Sequence, residues 1–217
     1  GLPQNDAEAV RWYRRSAMQR FALAQAGLGH MYFSGRGVLQ NDDEAVSWYR
    51  RSIEHGEPTG QNNLGYMFAE GRGVSQNDAE AATWYRRAAA QGYVLAQANL
   101  GYMYRVGRGA PQNDTEAVRW YRLAAVQGHA VAQVNLGGLY QAGLGVPQND
   151  ARAVRWYRLA ADQGAAMAQL QLGLRYRDGR GVVQDDETAH MWFNLAASRD
   201  TGNARDDAVT NRDRVAE

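Results

Sequence analysis

Residues 96–128 read AQANLGYMYRVGRGAPQNDTEAVRWYRLAAVQG, and this stretch decides the fold because the chain repeats it. All six tryptophans, Trp12, Trp48, Trp84, Trp120, Trp156 and Trp192, are spaced by 36. An aromatic residue follows each: Tyr13, Tyr49, Tyr85, Tyr121, Tyr157 and Phe193. Three positions upstream runs an alanine ladder, Ala9, Ala45, Ala81, Ala117, Ala153 and Ala189. A Leu-Gly pair recurs from Leu28-Gly29 to Leu172-Gly173 in the same register. A fixed period of this length is the mark of a repeat architecture, in which each unit buries its apolar face only against its neighbours.

Each unit reads as two helices. Asn41 and Glu44 are three apart, which suits a capped helix start, and Asn5/Glu8, Asn77/Glu80 and Asn113/Glu116 repeat the spacing. Asp42 is an equally good cap by sequence. From there Ala45, Trp48, Tyr49, Ser52 and Ile53 form one helical stripe. Gly56, Gly92, Gly128 and Gly164 suit its end. The second helix carries Ala96, Leu100, Gly101 and Tyr104 on one face and ends at Gly-x-Gly. Glycine inside a helix costs up to about 1 kcal/mol against alanine. Its repetition implies close approach of a neighbouring helix, the one that bears the bulky Trp. The pattern predicts helices near 7–19, 22–34, 43–54, 58–70, 79–90, 94–106, 115–126, 130–142, 151–162, 166–178 and 187–198, with a polar terminal helix near 203–215.

The run Ala-x-x-Asn-Leu-Gly-x-Met-Tyr, then Gly-x-Gly, Gln-Asn-Asp, Glu-Ala-x-x-Trp-Tyr and Ala-Ala-x-Gln-Gly, resembles the Sel1-like repeat family, itself similar to tetratricopeptide repeats. The resemblance covers about residues 4–199. It implies an all-α, right-handed α-α superhelical solenoid of 36-residue helix pairs: a repeat domain over 1–199, about five repeats behind a leading half-repeat, and a capping helix over 200–217. It also implies a scaffold or adaptor role, with the Leu-Gly helices lining a concave groove. Carried onto this chain, the groove positions are Asn62, Asn63, Tyr66, Ala69 and Glu70; then Ala98, Asn99, Tyr102, Arg105 and Val106; then Val134, Asn135, Gly138, Gln141 and Ala142. The chain departs from the pattern at Arg20, in place of a linker glycine, at Glu57-Pro58-Thr59-Gly60, and at Gly27 and Gln171 in place of the groove asparagine.

Composition narrows the chemistry. All 24 basic residues are arginine, so a Schiff-base lysine, a Walker phosphate loop and a Ser-x-x-Lys nucleophile are excluded. Net charge is +1, which argues against an electrostatic nucleic-acid binder. Cysteine is absent, which removes disulfides and thiolate metal sites. No apolar run approaches the roughly 20 residues that span a bilayer. His30, His55, His129 and His190 lack metal-ligand spacing, so neither metal nor cofactor is expected. His55 and His129 lie near helix ends, where a charged imidazole would favour the dipole. His30 falls on a groove position.

Three ladders need assignment. The Trp-Tyr ladder lies on the core stripe and is expected to be buried. Arg14, Arg50, Arg86, Arg122 and Arg158 are expected to form a solvated, salt-bridged outer face. Asn63, Asn99 and Asn135 lie on the groove side, where amides can hold an extended peptide backbone or hydrogen-bond helix to helix. Tyr66 and Tyr102 would supply apolar anchors.

The expected function is a non-catalytic protein- or peptide-binding scaffold. The candidate contacts are Asn62, Asn63, Tyr66, Glu70, Asn99, Tyr102, Arg105, Asn135 and Gln141, with no catalytic residue, no nucleic acid and no membrane insertion. Two alternatives stand beside it: a hydrolase-like enzyme or accessory acting on cell-wall or antibiotic-type substrates, and an excised interaction domain of a larger signalling protein. The first would need Ser16, Ser34, Ser47, Ser52, Ser75 or Ser198 activated by a base. The chain opens at Gly1 inside a repeat. The first helix, with Ala9, Val10, Trp12, Tyr13 and Ala17, is therefore expected to leave apolar surface open and to self-associate or move.

Overall fold

The asparagines, not the aspartates after them, start the Trp helices. Asn5, Asn41, Asn77, Asn113 and Asn149 each accept a hydrogen bond on Oδ1 from the backbone N–H three residues on, at 2.8–3.1 Å. The following Asp then sits in the first turn, where a carboxylate favours the positive end of the helix. The Leu-Gly helices end on Gly35, Gly71, Gly107, Gly143 and Gly179, all left-handed.

The computed structural model describes residues 5–199 and 203–216; the ends of the expected repeat domain and cap at 1–4, 200–202 and 217 lie outside the described residues. Among them are twelve α-helices and no strand. They fall into two compact units. Unit 1, Gly1–Gln112, holds α1 (Asp6–Met18), α2 (Ala22–Ser34), α3 (Asp42–Ile53), α4 (Pro58–Glu70), α5 (Asp78–Ala90) and α6 (Val94–Val106). Unit 2, Asn113–Glu217, holds α7 (Asp114–Val126), α8 (Ala130–Ala142), α9 (Asp150–Asp162), α10 (Ala166–Asp178), α11 (Asp186–Arg199) and α12 (Asn203–Ala216). No described helix is long and apolar enough to cross a membrane.

The glycine of the Leu-Gly pair meets the Trp-bearing helix, and the side chain it touches is the tyrosine that follows the tryptophan. A Cβ on Gly29 would sit 2.7 Å from the Tyr49 ring, one on Gly65 3.0 Å from Tyr85, and one on Gly137 2.7 Å from Tyr157. Gly173 meets Phe193 in the same way. These rings are buried, as are Leu28, Leu64, Leu136 and Leu172. Each such leucine contributes roughly 1.5–3 kcal/mol by leaving water. Trp and Tyr are neighbours on one stripe, and helix packing gives the inner place to the second. Most of the tryptophans are consequently half-buried and serve a different contact. Trp48 packs on Val10, Ala17, Leu28 and Met31 of the preceding helix pair, and Trp84 packs on the cluster of Val46, Leu64 and Met67. Arg51 and Arg87 lie over these two indoles at 4.4 and 4.5 Å.

Three further ladders tie the helices. Gln25, Gln97, Gln133 and Gln169 are buried and donate through Nε2 to Ala17, Ala89, Ala125 and Ala161 carbonyls at the ends of the preceding Trp helices, at 3.0–3.3 Å. In unit 1 the arginine of Gly-x-Gly reaches back 30 residues to the first-turn aspartate: Arg36 to Asp6, Arg72 to Asp42 and Arg108 to Asp78, each in bidentate geometry with one contact of 2.7 Å. In unit 2 Leu144 stands at the first such position, and at the next Arg180 lies 3.6 Å from Asp150, which also meets Arg175 at 3.3 Å. The Arg ladder expected to be a salt-bridged outer face has another partner. Arg14, Arg86 and Arg122 donate to the hydroxyls of Tyr32, Tyr104 and Tyr140 at 2.8–3.3 Å, and Arg158 bonds Tyr176. Opposite Arg50 in this register stands Phe68, which has no hydroxyl.

The edges differ from the interior. Trp12 is 62% exposed, and Tyr13, Met18, Phe21 and Leu23 are exposed too, whereas Val10 and Ala17 are buried against α2. Tyr13 packs on Gly27, where a Cβ would come within 2.7 Å of the ring, so glycine replaces the groove asparagine there. Arg20 adopts the left-handed φ of 65° that glycine takes elsewhere. At the other edge α12 buries Ala208 against Leu170, Phe193 and Ala196.

Candidate functional site

In unit 1 the Leu-Gly helices α2, α4 and α6 lie side by side, and the repeat places residues of one register on one face. Two cavities open there. The first, about 210 Å3 between α2 and α4, is lined by His30, Phe33, Asn62, Asn63 and Tyr66 together with Tyr49 and Met67. The second, about 160 Å3 between α4 and α6, is lined by Tyr66, Glu70, Asn99, Tyr102 and Arg108 with Ala69, Tyr85 and Met103. Tyr66 borders both. Its ring meets Phe33 edge-on with centroids 5.6 Å apart.

The polar floor is a chain of amides. Asn99 Nδ2 donates to Asn62 Oδ1 at 3.1 Å across the helices, and Asn62 Nδ2 donates to Asn63 Oδ1 at 3.2 Å. Asn62 is therefore not an exposed groove position; it is buried, and its side chain joins α4 to α6. Ala69 and Ala98 are buried as well. Asn63 and Asn99 stay half-exposed with capacity left for a ligand. Burial raises the pKa of the Tyr49 phenol under this floor, while a hydrogen bond with Asn63 and the nearby Arg72 charge act against the rise. The phenol is neutral at ordinary pH.

Charge on this face is sparse. Arg72 is spent on Asp42, on the Phe33 carbonyl at 3.3 Å and on the Phe33 ring at 4.0 Å. Arg108 is spent on Asp78, whose hydrogen bond raises its pKa, and on the Ala69 carbonyl. Glu70 is exposed, and its charge acts on Arg108 and on the Tyr85 phenol beside it. Arg105 lies half-buried one turn past Tyr102.

The structure thus brings Asn62, Asn63, Tyr66, Glu70, Asn99 and Tyr102 together. Asn135 and Gln141 lie in unit 2, both half-buried, and Gln141 Oε1 already accepts the Tyr157 hydroxyl at 2.8 Å. The registers that carry Tyr66 and Tyr102 in unit 1 carry Gly138 and Leu174 in unit 2. Phe33 was missed by sequence reasoning, since its register holds Ala69 and Arg105 in the next repeats and offers no period.

Ser34 and Ser198 donate to the His30 and Leu195 carbonyls, Ser52 is enclosed, and among the described residues no serine hydroxyl bonds a histidine. No group of three or more His, Asp or Glu among the described residues is placed to hold a metal ion. His129 corrects an expectation: it caps the start of α8, not the end of a helix. Its Nδ1 accepts the Ala132 N–H at 3.2 Å, and burial lowers its pKa.

Comparison with known proteins agrees with the repeat geometry. The Sel1 repeat pattern matches residues 1–21, 22–57, 58–93, 94–129, 130–164 and 166–200. The crystal structure of c5321, a protective antigen present in uropathogenic Escherichia coli strains and displaying an SLR fold, is similar with a TM-score of 0.83 and 32% identity over 99% of this chain. The match covers 50% of that protein, so this chain spans half its length. A Sel1 repeat protein from Oxalobacter formigenes matches with a TM-score of 0.81 and 34% identity, over 90% of this chain and 82% of the other. Immunity protein Pa5087 from Pseudomonas aeruginosa shares the fold alone, with a TM-score of 0.59 and 20% identity over 94% and 76% of the two chains. No curated protein matches the chain.

Proposed function

The chain belongs to the Sel1 repeat family, and from that premise we propose that it is a non-catalytic scaffold holding a protein or peptide partner on the α2, α4 and α6 face of unit 1. One observation carries the reading. Tyr66 and Tyr102 are large rings left 40% and 49% exposed beside cavities, whereas Tyr49 and Tyr85 under the same face are buried. Exposed rings flanked by amides with spare donors are the usual makings of a contact hot spot. A repeat scaffold suits that role, because its stability comes from the repeated positions and leaves the others free to vary.

The reading gives no part to nucleic acid. It also gives α1 a second role, as a site of self-association through the apolar surface of Trp12, Phe21 and Leu23. Light scattering on the chain and on Trp12→Glu tests that role: the parent should form dimers and the variant should not.

Affinity capture with quantitative mass spectrometry tests the main reading. The chain should retain a defined partner that Tyr66→Ala/Tyr102→Ala loses and Arg155→Ala, exposed on α9, keeps. Loss with Arg155→Ala but not with the tyrosine pair would move the site to another surface.

A further inference from the structure

We propose that the outer face of α1 is an acceptor for one helix of the Gln-x-x-Leu-Gly-x-Met type, presented at the end of a different repeat chain. The inference rests on the association role given to α1 above and names the partner that its surface is shaped to receive.

The interior junctions define that shape. Where a Leu-Gly helix meets the Trp helix after it, the ring that follows the tryptophan is enclosed: Tyr49, Tyr85, Tyr157 and Phe193 are at most 4% exposed. Ala45, Ala81, Ala153 and Ala189, one turn before these rings, are fully buried. On α1 the equivalent residues lie open. Tyr13 is 39% exposed, Trp12 is 62% exposed, and Ala9 is only half-buried. Ala9, Trp12, Tyr13 and Ser16 line a cleft of about 610 Å3, closed on its other side by Phe21, Leu23 and Ala24.

Three contacts recur at interior junctions, and together they specify the helix that fits. Glycine lets the ring lie on the helix backbone, as Gly29 does for Tyr49 and Gly65 for Tyr85. Leucine and methionine of the same helix cover the indole: Trp48 packs on Leu28 and Met31, and Trp84 on Leu64 and Met67. A glutamine one turn before the leucine accepts from the glutamine that ends the Trp helix, Gln61 from Gln91 at 2.9 Å and Gln133 from Gln163 at 2.8 Å. Helix α1 carries the receiving half of each contact, in Tyr13, Trp12 and the exposed Gln19. A helix that meets all three reads Gln-x-x-Leu-Gly-x-Met, as residues 25–31, 61–67 and 97–103 do.

A second copy of this chain has no such helix to spare. Gly29, Gly65, Gly101, Gly137 and Gly173 are all buried. Helix α12 carries Arg205, Ala208, Val209 and Asn211 in that register, so a branched side chain stands where the ring needs glycine. A Cβ at that place comes within 2.7–3.0 Å of the ring at Gly29, Gly65 and Gly137. Pairing of α1 on α1 offers no glycine at all, so the rings cannot settle on a backbone. Self-association through Trp12, Phe21 and Leu23 is accordingly the weaker use of this surface, and the fitting helix displaces it.

The test uses the full chain and a fluorescent peptide with the sequence of residues 94–109, which contains the signature. A short helix is marginal alone in water, so the peptide is stapled on its polar side to hold it helical. Fluorescence anisotropy should show saturable binding to one site. Gly101→Leu in the peptide should weaken it at least about tenfold through overpacking. Trp12→Glu in the chain should abolish it, and Arg155→Ala should leave it unchanged. Trp12 is mostly exposed, so its replacement leaves the core intact. Equal binding of the glycine and leucine peptides would overturn the proposal, as would no binding or binding that Trp12→Glu keeps. Light scattering on the same samples separates the two roles of α1. Dimers that the peptide converts to monomer–peptide complexes support both. A monomeric chain that binds the peptide supports the acceptor and removes the self-association. Dimers that the peptide leaves intact keep the self-association and overturn the acceptor.

Discussion

Helices α4 and α8 hold the same place in their repeats and show what is repeated and what is not. Both end on a left-handed glycine, Gly71 and Gly143. Both lay a glycine against a buried ring, Gly65 on Tyr85 and Gly137 on Tyr157. Yet the outward register of α4 carries Tyr66 and Glu70, and that of α8 carries Gly138 and Ala142. The scaffold is written in the period. The candidate site is written in departures from it, which is why unit 1 has an aromatic face and unit 2 does not.

The largest expected effect is on the shared part. Tyr85→Ala and Tyr157→Ala should each cost about 3–5 kcal/mol, because each leaves a ring-sized cavity against a glycine helix. Chemical denaturation should show similar losses for the two; a large loss in one alone would break the equivalence of the helices. Next, Gly65→Leu and Gly137→Leu should destabilise by about 1–3 kcal/mol through overpacking, although leucine is the better helix former. A rise in the denaturation midpoint would show that the ring yields more readily than its contacts suggest.

Smaller effects sharpen the difference between the units. Arg72→Ala should cost roughly 1 kcal/mol, since the pair with Asp42 is bidentate but about a third exposed. Leu144→Ala, at the first matching position of unit 2, breaks no such pair. Thermal unfolding at low and high salt should separate them, with the Arg72 effect shrinking as salt rises.

The smallest effect is on pH dependence and belongs to unit 2. Burial lowers the His129 pKa below 6.5, and the neutral ring is the form that accepts the Ala132 N–H. The unfolded chain then binds the proton at a higher pH than the fold does. Stability is full above about pH 6.5 and falls as the pH drops toward the folded value. His129→Asn keeps an acceptor at the cap and should flatten this part of the profile. An unchanged profile would mean that His129 does not couple folding to pH.

Much of the fold was readable because its determinants recur. Asn41, Leu64, Gly65 and Gly71 each belong to a ladder, and a ladder filters out accident. The inner aromatic was not readable. Trp48 and Tyr49 share a stripe, and only the crossing of neighbouring helices decides that tyrosine meets glycine while tryptophan meets the preceding pair. The arginine of Gly-x-Gly passed as part of a helix stop because its aspartate lies 30 residues away. The buried glutamines offered a signal that went unused, since Gln25, Gln61, Gln97, Gln133 and Gln169 keep the 36-residue spacing. At the site, Tyr66, Asn99 and Tyr102 were legible from their register. The burial of Asn62 and the contribution of Phe33 were not, because each depends on an adjacent repeat.

The central claim is that a partner rests on the α2, α4 and α6 face of unit 1. Site-specific photocrosslinking tests it most directly. A photoreactive residue replaces, one at a time, Tyr66, Tyr102, Gly138 and Arg155, and adducts with the captured partner are counted by mass spectrometry. The account predicts strong adducts from positions 66 and 102, with few from 138 and 155. Adducts concentrated at 138 or 155, with 66 and 102 silent, would contradict it.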